Sequence, residues 1–463
     1  MVFSSPVFLF VFFPIVWLVN ALLPEKARLL FLLVVSLFFY IYGEGAFVVL
    51  MLLSILFSYL TNVAIQSDEG RKGLFATIGI VLNLVILVTF KYMNFFTGEL
   101  HALLANFSVD FPVTEMHLPL GISFFTFQAI SSIVDVYRNP KQPRVTLLGT
   151  ALYISFFPQL IAGPIVRYNY FIPQIRKTAV HYAAFLYGAK RFVYGLSKKV
   201  LVANTLATVN DKIFDLRGDQ LGTVTALGGI ILFGLQLYFD FSGYTDMAIG
   251  LARMFGIKIP ENFNYPYISR TASEYWHRWH ISLSSWIRDY IYIPLGGSRR
   301  GLARTYFNLW VVFVLCGLWH GASWNYVVFG VVAAFAVSTE RLFKGFFQKR
   351  GIIFSFFYML LYYIFLYGSF RTGSLSQMGE FLQAIFVPKA SPVPLSSLMD
   401  RHELLAAAAG ALLVFPLYPK LKNSVGNKTA FAVFEAVLAV VLFAATISQT
   451  SMVFSDPFIY FRF

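Results

Sequence analysis

The chain is 463 residues long, 58% hydrophobic and 13% charged, with a mean hydropathy of +0.69. A soluble globular domain is about half apolar and a quarter charged, so that class is excluded. The net charge of +14 would suit a nucleic-acid binder only if it were gathered on a solvated domain; no stretch reads as one, whereas cytoplasmic loops of a membrane protein collect Lys and Arg. The sequence therefore predicts an all-α polytopic membrane protein, one integral domain over residues 1–463 with a short aromatic tail at 455–463, whose surroundings are the lipid bilayer and not nucleic acid.

In chain order, the start MVFSSPVFLFVFFPIVWLVN has no basic residue ahead of its apolar run and no small-residue cleavage site, and reads as a retained first span. Apolar runs of about 20 residues, the length needed to cross a bilayer, fall near 6–23, 46–66, 74–95, 119–137, 147–166, 222–239, 303–320, 323–340, 352–369, 403–418 and 429–449. That gives about eleven transmembrane helices. The run 29–42 is shorter, ends at Gly43-Glu44-Gly45, and reads as a half-helix or part of a tight hairpin.

Loop charge sets the orientation. Lys26, Arg28, Arg71, Lys72 and the basic residues of 138–144, 299–304, 344–350 and 420–428 should face the cytoplasm, and the loops 97–117 and 372–402 should face out. Counting back from 420–428, the last span carries the tail SDPFIYFRF outward. The lone cysteine, Cys316, lies in an apolar run, cannot form an intrachain disulfide and reads as a packing residue.

Between about 183 and 300 the pattern changes. Apolar stretches there hold Lys190, Arg191, Lys198, Lys199, Asp240, Asp246, Arg253, Glu274, Arg278, Arg288 and Asp289. An ionised side chain at mid-membrane costs about 2.5–3.5 kcal/mol on insertion scales, so these groups should face protein, water or a ligand. Asp240 and Asp246 have two readings: they bind or orient a reacting group, or they pair with nearby cations inside the bundle.

Three of the seven histidines lie in or beside apolar, Trp-rich segments: His277 and His280 in EYWHRWHISLSSWIRDYIYIPLGG, and His320 in CGLWHGASW. An imidazole titrates near pH 6.5 and serves as a general base without a metal. The structural alternative for His320 is a satisfied polar group at a helix end, but Gly317 and Gly321 on either side allow close approach of a substrate or a helix. His277 stands three residues before His280, and the spacing alone does not settle which ring faces a cavity. A three-histidine metal site finds no support in HxH, HExxH or paired cysteines; no metal is expected. Phosphate-binding GxxxxGK[ST], dinucleotide-binding GxGxxG and nucleophile-elbow GxSxG patterns are missing. The glycine-rich basic loop GGSRRG offers backbone amides with Arg299 and Arg300 to phosphates, or is an ordinary positive-inside loop.

The segments FDFSGYTDMAIGLARMFGIKIPENFNYPY, WHRWHISLSSWIRDYIYIPLGG and LWHGASWNYVVFG, in that order, resemble the membrane-bound O-acyltransferases, within them the bacterial branch that O-acetylates alginate and peptidoglycan. PLGISFFTFQAISSIVDVYR and FFPQLIAGPIVRY extend the resemblance over most of the chain. It implies a funnel-and-tunnel bundle with re-entrant or half helices, in which an outer funnel and a cytoplasmic tunnel meet at the histidine of WHG, here His320. His280 would be its polar partner. The tail resembles an aromatic motif whose tyrosine carries the acyl group, which makes Tyr460 a candidate carrier; an interfacial anchor is the alternative.

The resemblance also implies a bacterial inner-membrane protein with no bound cofactor. It would use acetyl-CoA or another acyl thioester as donor and work with an extracytoplasmic O-acetyltransferase or esterase-like partner. Lys198, Lys199, Asp240, Arg278, Arg288, Arg299 and Arg300 are the expected donor- or substrate-binding residues. Two rivals stay open: D-alanyl transfer to teichoic acids from a carrier-protein thioester, and a polysaccharide or lipid-linked substrate transporter.

Overall fold

Long apolar runs with few breakers leave the helix as the one backbone form that satisfies its own hydrogen bonds in lipid, and the described elements are all helical, joined by loops. The computed structural model describes residues 1–175 and 181–450; no strand occurs among them. The helices are α1 (Phe13–Leu22), α2 (Glu25–Glu44), α3 (Val48–Ser67), α4 (Lys72–Ala105), α5 (Ile122–Arg138), α6 (Leu147–Ser155), α7 (Phe157–Leu160), α8 (Tyr168–Ile175), α9 (Tyr182–Ser197), α10 (Thr205–Asp215) and α11 (Thr223–Met254). There follow α12 (Ala272–Arg278), α13 (Ile281–Ile287), α14 (Leu302–His320), α15 (Trp324–Leu342), α16 (Lys344–Gln348), α17 (Ile352–Arg371), α18 (Leu375–Phe386), α19 (Leu395–Leu398), α20 (Arg401–Leu413), α21 (Leu417–Ser424) and α22 (Lys428–Thr450). Wider π-turns open the chain at Phe8–Phe12 and interrupt it at Lys198–Asn204 and Arg288–Tyr292.

By length and composition, six of the described helical stretches can cross a membrane: Glu25–Ser67, Lys72–Ala105, Thr223–Met254, Leu302–His320, Ile352–Arg371 and Lys428–Thr450. The pair Arg401–Leu413 and Leu417–Ser424, bent by 62°, makes a seventh if it is one broken span.

Several expected elements take a different form. The run 29–42 is no half-helix: α2 is a full 20 residues, because the charged Glu25, Lys26 and Arg28 and the polar end at Glu44 join the helix at its two ends. Span 147–166 divides into α6 and α7 at Phe156, just ahead of Pro158, whose ring cannot continue a helix from the preceding turn. Nine residues of α6 reach only about 14 Å, half a bilayer. Span 403–418 breaks at Pro416, where α21 turns away from α20. In contrast, α4 runs 34 residues and takes up part of the predicted outer loop 97–117.

The chain divides into two compact units. One comprises Met1–Phe192 with Met247–Pro260, and the other begins with Val193–Asp246 and resumes at Glu261. In the first, α5 is buried on almost every side and packs with α3, α4, α6 and α8, its Ser123, Thr126, Gln128, Ser131, Ser132 and Asp135 buried along with its apolar residues. In the second, α14 and α15 form a tight antiparallel hairpin whose backbones meet at glycines. A Cβ on Gly330 would lie 2.5 Å from the Phe313 carbonyl oxygen, and one on Gly317 would collide with the carbonyl of Tyr326. Glu340, buried on α15, accepts the Ala272 and Ser273 amides at 2.5 and 2.8 Å and so caps the start of α12. The N-terminus of α12 is thereby tied to the hairpin that bears His320.

Candidate active site

The second unit places His320 at the last residue of α14. The ring is 5% exposed and enclosed edge-on by Trp319, Phe329 and Phe370, with centroid separations of 4.9, 5.2 and 5.2 Å. Gly321 ends the helix in extended backbone, and any side chain there would strike the Tyr326 ring. Small residues around His320 thus serve helix–helix approach, one of the two uses their pattern allowed.

His280 sits between α12 and α13 with φ of 45°, a left-handed backbone that few residues other than glycine adopt. The neighbouring chain holds this turn. Asn262 accepts the Ile281 amide on its backbone oxygen at 2.9 Å, and Asn264 donates its amide to the Arg278 carbonyl at 2.9 Å. The Asn262 side-chain oxygen is 3.1 Å from His280 Nδ1 and accepts from the Ser282 amide at 3.1 Å and the Ser282 hydroxyl at 2.9 Å. His280 is 1% exposed, and its Nε2 has no hydrogen-bond partner among the described residues. Burial pushes its imidazole down to about 3, so the ring is neutral at physiological pH.

Trp319 joins the two histidines. Its ring centroid is 5.8 Å from His280 and 4.9 Å from His320, and Phe241 closes the other side of His280 at 4.7 Å. Beyond Phe241 an aromatic wall continues through Phe263, Trp279 and Tyr275. Tyr275, Tyr367 and Tyr267 then form a hydroxyl chain with O–O distances of 3.1 and 2.9 Å, ending where Tyr267 donates to the Gly234 carbonyl at 2.5 Å.

The ionisable residues are arranged otherwise. The π-turn Lys198–Asn204 presents two successive lysines to α11: Lys199 Nζ lies 2.7 Å from Asp240 Oδ1, and Lys198 Nζ 2.6 Å from Asp246 Oδ2. The inner pair is almost fully buried, with side chains 1% and 5% exposed; Lys198 is 32% exposed. Asp240 and Asp246 thus pair with nearby lysines inside the bundle. Arg278 is held by Glu274 at 2.9 Å and by the Asn264 carbonyl at 3.0 Å. Arg288 bridges to its neighbour Asp289 at 2.8 Å, while Arg299 and Arg300 are exposed. His277 faces outward, its Nδ1 2.6 Å from the Ser273 carbonyl of its own helix. Tyr460 lies outside the described residues. Among those described, no three His, Cys, Asp or Glu side chains gather as a metal site.

His280, His320 and the aromatic residues around them can thus bind an uncharged group and exchange a proton with it. Asn262 is not among the residues that residue type and surroundings mark out in the sequence. Its signal was a polar residue of a polar-aromatic ENFN stretch directly after Pro260, where a side chain able to fix a turn is expected.

Comparison with known proteins gives a match between residues 71–383 and the family model described as "MBOAT, membrane-bound O-acyltransferase family". The chain is 42% identical to the "probable alginate O-acetylase" of Azotobacter vinelandii over 347 residues, 74% of this chain and 69% of that protein. It is 35% identical to the peptidoglycan O-acetyltransferase of Helicobacter pylori over 74% of this chain and 71% of that one. Identity to the teichoic acid D-alanyltransferase of Bacillus subtilis is 30%, over 50% of this chain and 60% of that protein. Across the alginate relatives the match spans 66–71% of their own length.

Proposed function

The chain belongs to the membrane-bound O-acyltransferase family and is a multi-pass O-acetyltransferase, and on that premise we propose that it moves an acetyl group from a cytoplasmic thioester to hydroxyls of a cell-envelope polysaccharide such as alginate or peptidoglycan. The observation that carries this reading is the pair of buried histidines on either side of Trp319. Thioester acyl transfer needs a base at the attacking hydroxyl and stabilisation of the developing oxyanion; a buried aromatic enclosure strengthens both relative to bulk water.

In this reading His320 takes the proton from the acceptor hydroxyl as its oxygen attacks the thioester carbonyl. The C–O bond forms, the tetrahedral intermediate collapses with cleavage of the C–S bond, and the imidazolium returns its proton to the departing thiolate. The products are the acetyl ester and the free thiol. His280 stands beside this centre as a neutral ring. Acetyl-CoA is the proposed donor, met at the cytoplasmic side by Lys198, Arg288, Arg299 and Arg300. Lys199 and Asp240 act from behind as an internally neutral pair, and Arg278 stays with Glu274.

The full proposal includes a funnel-and-tunnel bundle of about eleven crossings in the bacterial inner membrane, an outward C-terminal tail with Tyr460 as acyl carrier, and an extracytoplasmic esterase-like partner that receives the acetyl group. The greater identity to the acetylating relatives, over a larger share of the chain, favours acetyl over D-alanyl transfer. Membership in an acyltransferase family displaces the transporter reading.

The test is to incubate the purified protein with radiolabelled acetyl-CoA and to follow free thiol and protein-bound label in wild type, His320→Ala and Tyr460→Phe. Loss of both thiol release and protein-bound label in His320→Ala and in Tyr460→Phe is the expected result; donor hydrolysis without retained label, stopped only by His320→Ala, returns Tyr460 to an interfacial anchor. Release unchanged in His320→Ala overturns the base assignment. Release from a carrier-protein thioester but not from acetyl-CoA transfers the reading to D-alanylation.

A further inference from the structure

We propose that Asn262 is a positioning residue that holds His280 in a single tautomer, with the proton on Nδ1 and the lone pair of Nε2 presented to the acyl-transfer centre. The inference deepens the proposed reaction and rests on it for the role of Nε2; the tautomer itself rests on hydrogen-bond geometry alone.

A backbone N–H only donates, so the Asn262 side-chain atom 3.1 Å from the Ser282 amide is the oxygen. The Ser282 hydroxyl donates to the same oxygen at 2.9 Å. Were the amide turned over, its NH2 would face both the Ser282 amide and His280, and the contact with the backbone donor would become donor against donor. With the oxygen fixed as acceptor, the His280 nitrogen 3.1 Å away must be the protonated one. A neutral imidazole carries one ring proton, so Nε2 holds the lone pair.

That lone pair has no partner among the described residues although the ring is 1% exposed, and a buried acceptor without a partner costs about 1–3 kcal/mol. Such a group is tolerated where a ligand completes it. The ring cannot readily swing away, because Phe241 lies across it at 4.7 Å and Trp319 at 5.8 Å. A lone pair at Nε2 can accept a hydrogen bond from the attacking hydroxyl or from His320; it cannot donate one to the oxyanion. The clamp therefore assigns His280 to the proton-accepting side of the reaction and leaves the oxyanion to other donors.

Asn262→Ala retains the backbone carbonyl that accepts from Ile281, so the turn keeps that bond while the side-chain acceptor is lost. Asn262→Asp supplies a carboxylate oxygen to the same three donors. The experiment is 15N NMR of ring-labelled histidines in the full chain in lipid nanodiscs, with His280 assigned by the signal missing from His280→Gln, together with acetyl-CoA kinetics of each variant.

The expected wild-type spectrum has a protonated Nδ1 and an unprotonated Nε2. Asn262→Ala should release that preference and lower kcat about 10–100-fold with the donor KM within about twofold, and Asn262→Asp should restore Nδ1–H and most of the turnover. A wild-type His280 protonated at Nε2, or an Asn262→Ala chain with undiminished kcat, overturns the proposal. Failure of the acyl-transfer reading is separate: thiol release retained in His320→Ala removes that reading and leaves the His280 tautomer to stand or fall on its spectrum.

Discussion

Two clusters of buried polar groups in the second unit follow opposite rules. Around Lys199 and Asp240 the two successive lysines of the π-turn each face a carboxylate of α11 within hydrogen-bond distance. Around His280 and His320 the surroundings are aromatic, and at least one polar atom, His280 Nε2, is left over. Buried charges are expensive unless paired, whereas a neutral ring nitrogen without a partner among the described residues, His280 Nε2, is available to a reactant. Burial of an ionisable residue by itself therefore did not separate structure from chemistry; the state of its partners did.

The sharpest way to break this comparison is to remove His320. His320→Ala should lower acetyl transfer about 10²–10⁴-fold while leaving the thermal unfolding midpoint in detergent close to wild type. A large drop in that midpoint would make the histidine a structural residue like the lysines. On the charged side the expectation reverses. Lys199→Met removes the cation bound to the buried Asp240 carboxylate and should cost about 3–5 kcal/mol of stability, read as loss of folded protein by size-exclusion chromatography. The double variant Lys199→Met/Asp240→Leu should recover most of it. Failure of the double variant to recover would give the pair a duty beyond mutual neutralisation.

Gly321→Ala tests whether the hairpin sets the place of His320. The added methyl meets the Tyr326 ring, and displacement of a catalytic group by about 1 Å costs on the order of 100-fold in rate, so kcat should fall far more than stability. Lys198→Met should be milder than its neighbour, about 1–3 kcal/mol, since Lys198 is 32% exposed although its partner Asp246 is buried. The smallest effect is expected for Arg299→Ala with Arg300→Ala: a rise of about three- to tenfold in the acetyl-CoA KM with kcat retained, weakening as salt is added.

Much of this was legible in the sequence because membrane insertion enforces it. The ends of α14 and α22 follow from charge and glycine punctuation, and α14 ends at His320 as the WHG stretch predicted. The same local reading fails where prolines lie inside apolar runs: Pro158 and Pro416 cut two predicted spans, since hydropathy averages over a break that backbone sterics impose. It also fails where polar ends extend a helix, as at Glu25 and Glu44 of α2.

Within the site, the histidines announced themselves by residue type and surroundings. Their meeting at Trp319 did not, because positions 280 and 320 are joined by packing between segments far apart in sequence. The pairing of the lysines was likewise invisible, since it depends on the π-turn that carries Lys198 and Lys199 to α11. Asn262 was hidden for a different reason: its side chain acts on a turn formed eighteen residues later.

The left-handed backbone at residue 280 narrows what random variation can explore. Strain at such a position amounts to about 1–3 kcal/mol for most L-residues, while glycine is free of it and Asn, Asp and His tolerate it best. A saturation library at position 280, sorted for folded protein without regard to activity, should return glycine, asparagine and aspartate beside histidine and reject valine and isoleucine. The alphabet open to this position is thus nearly confined to residues that either lack a side chain or carry a hydrogen-bonding one, and among them histidine alone supplies an imidazole.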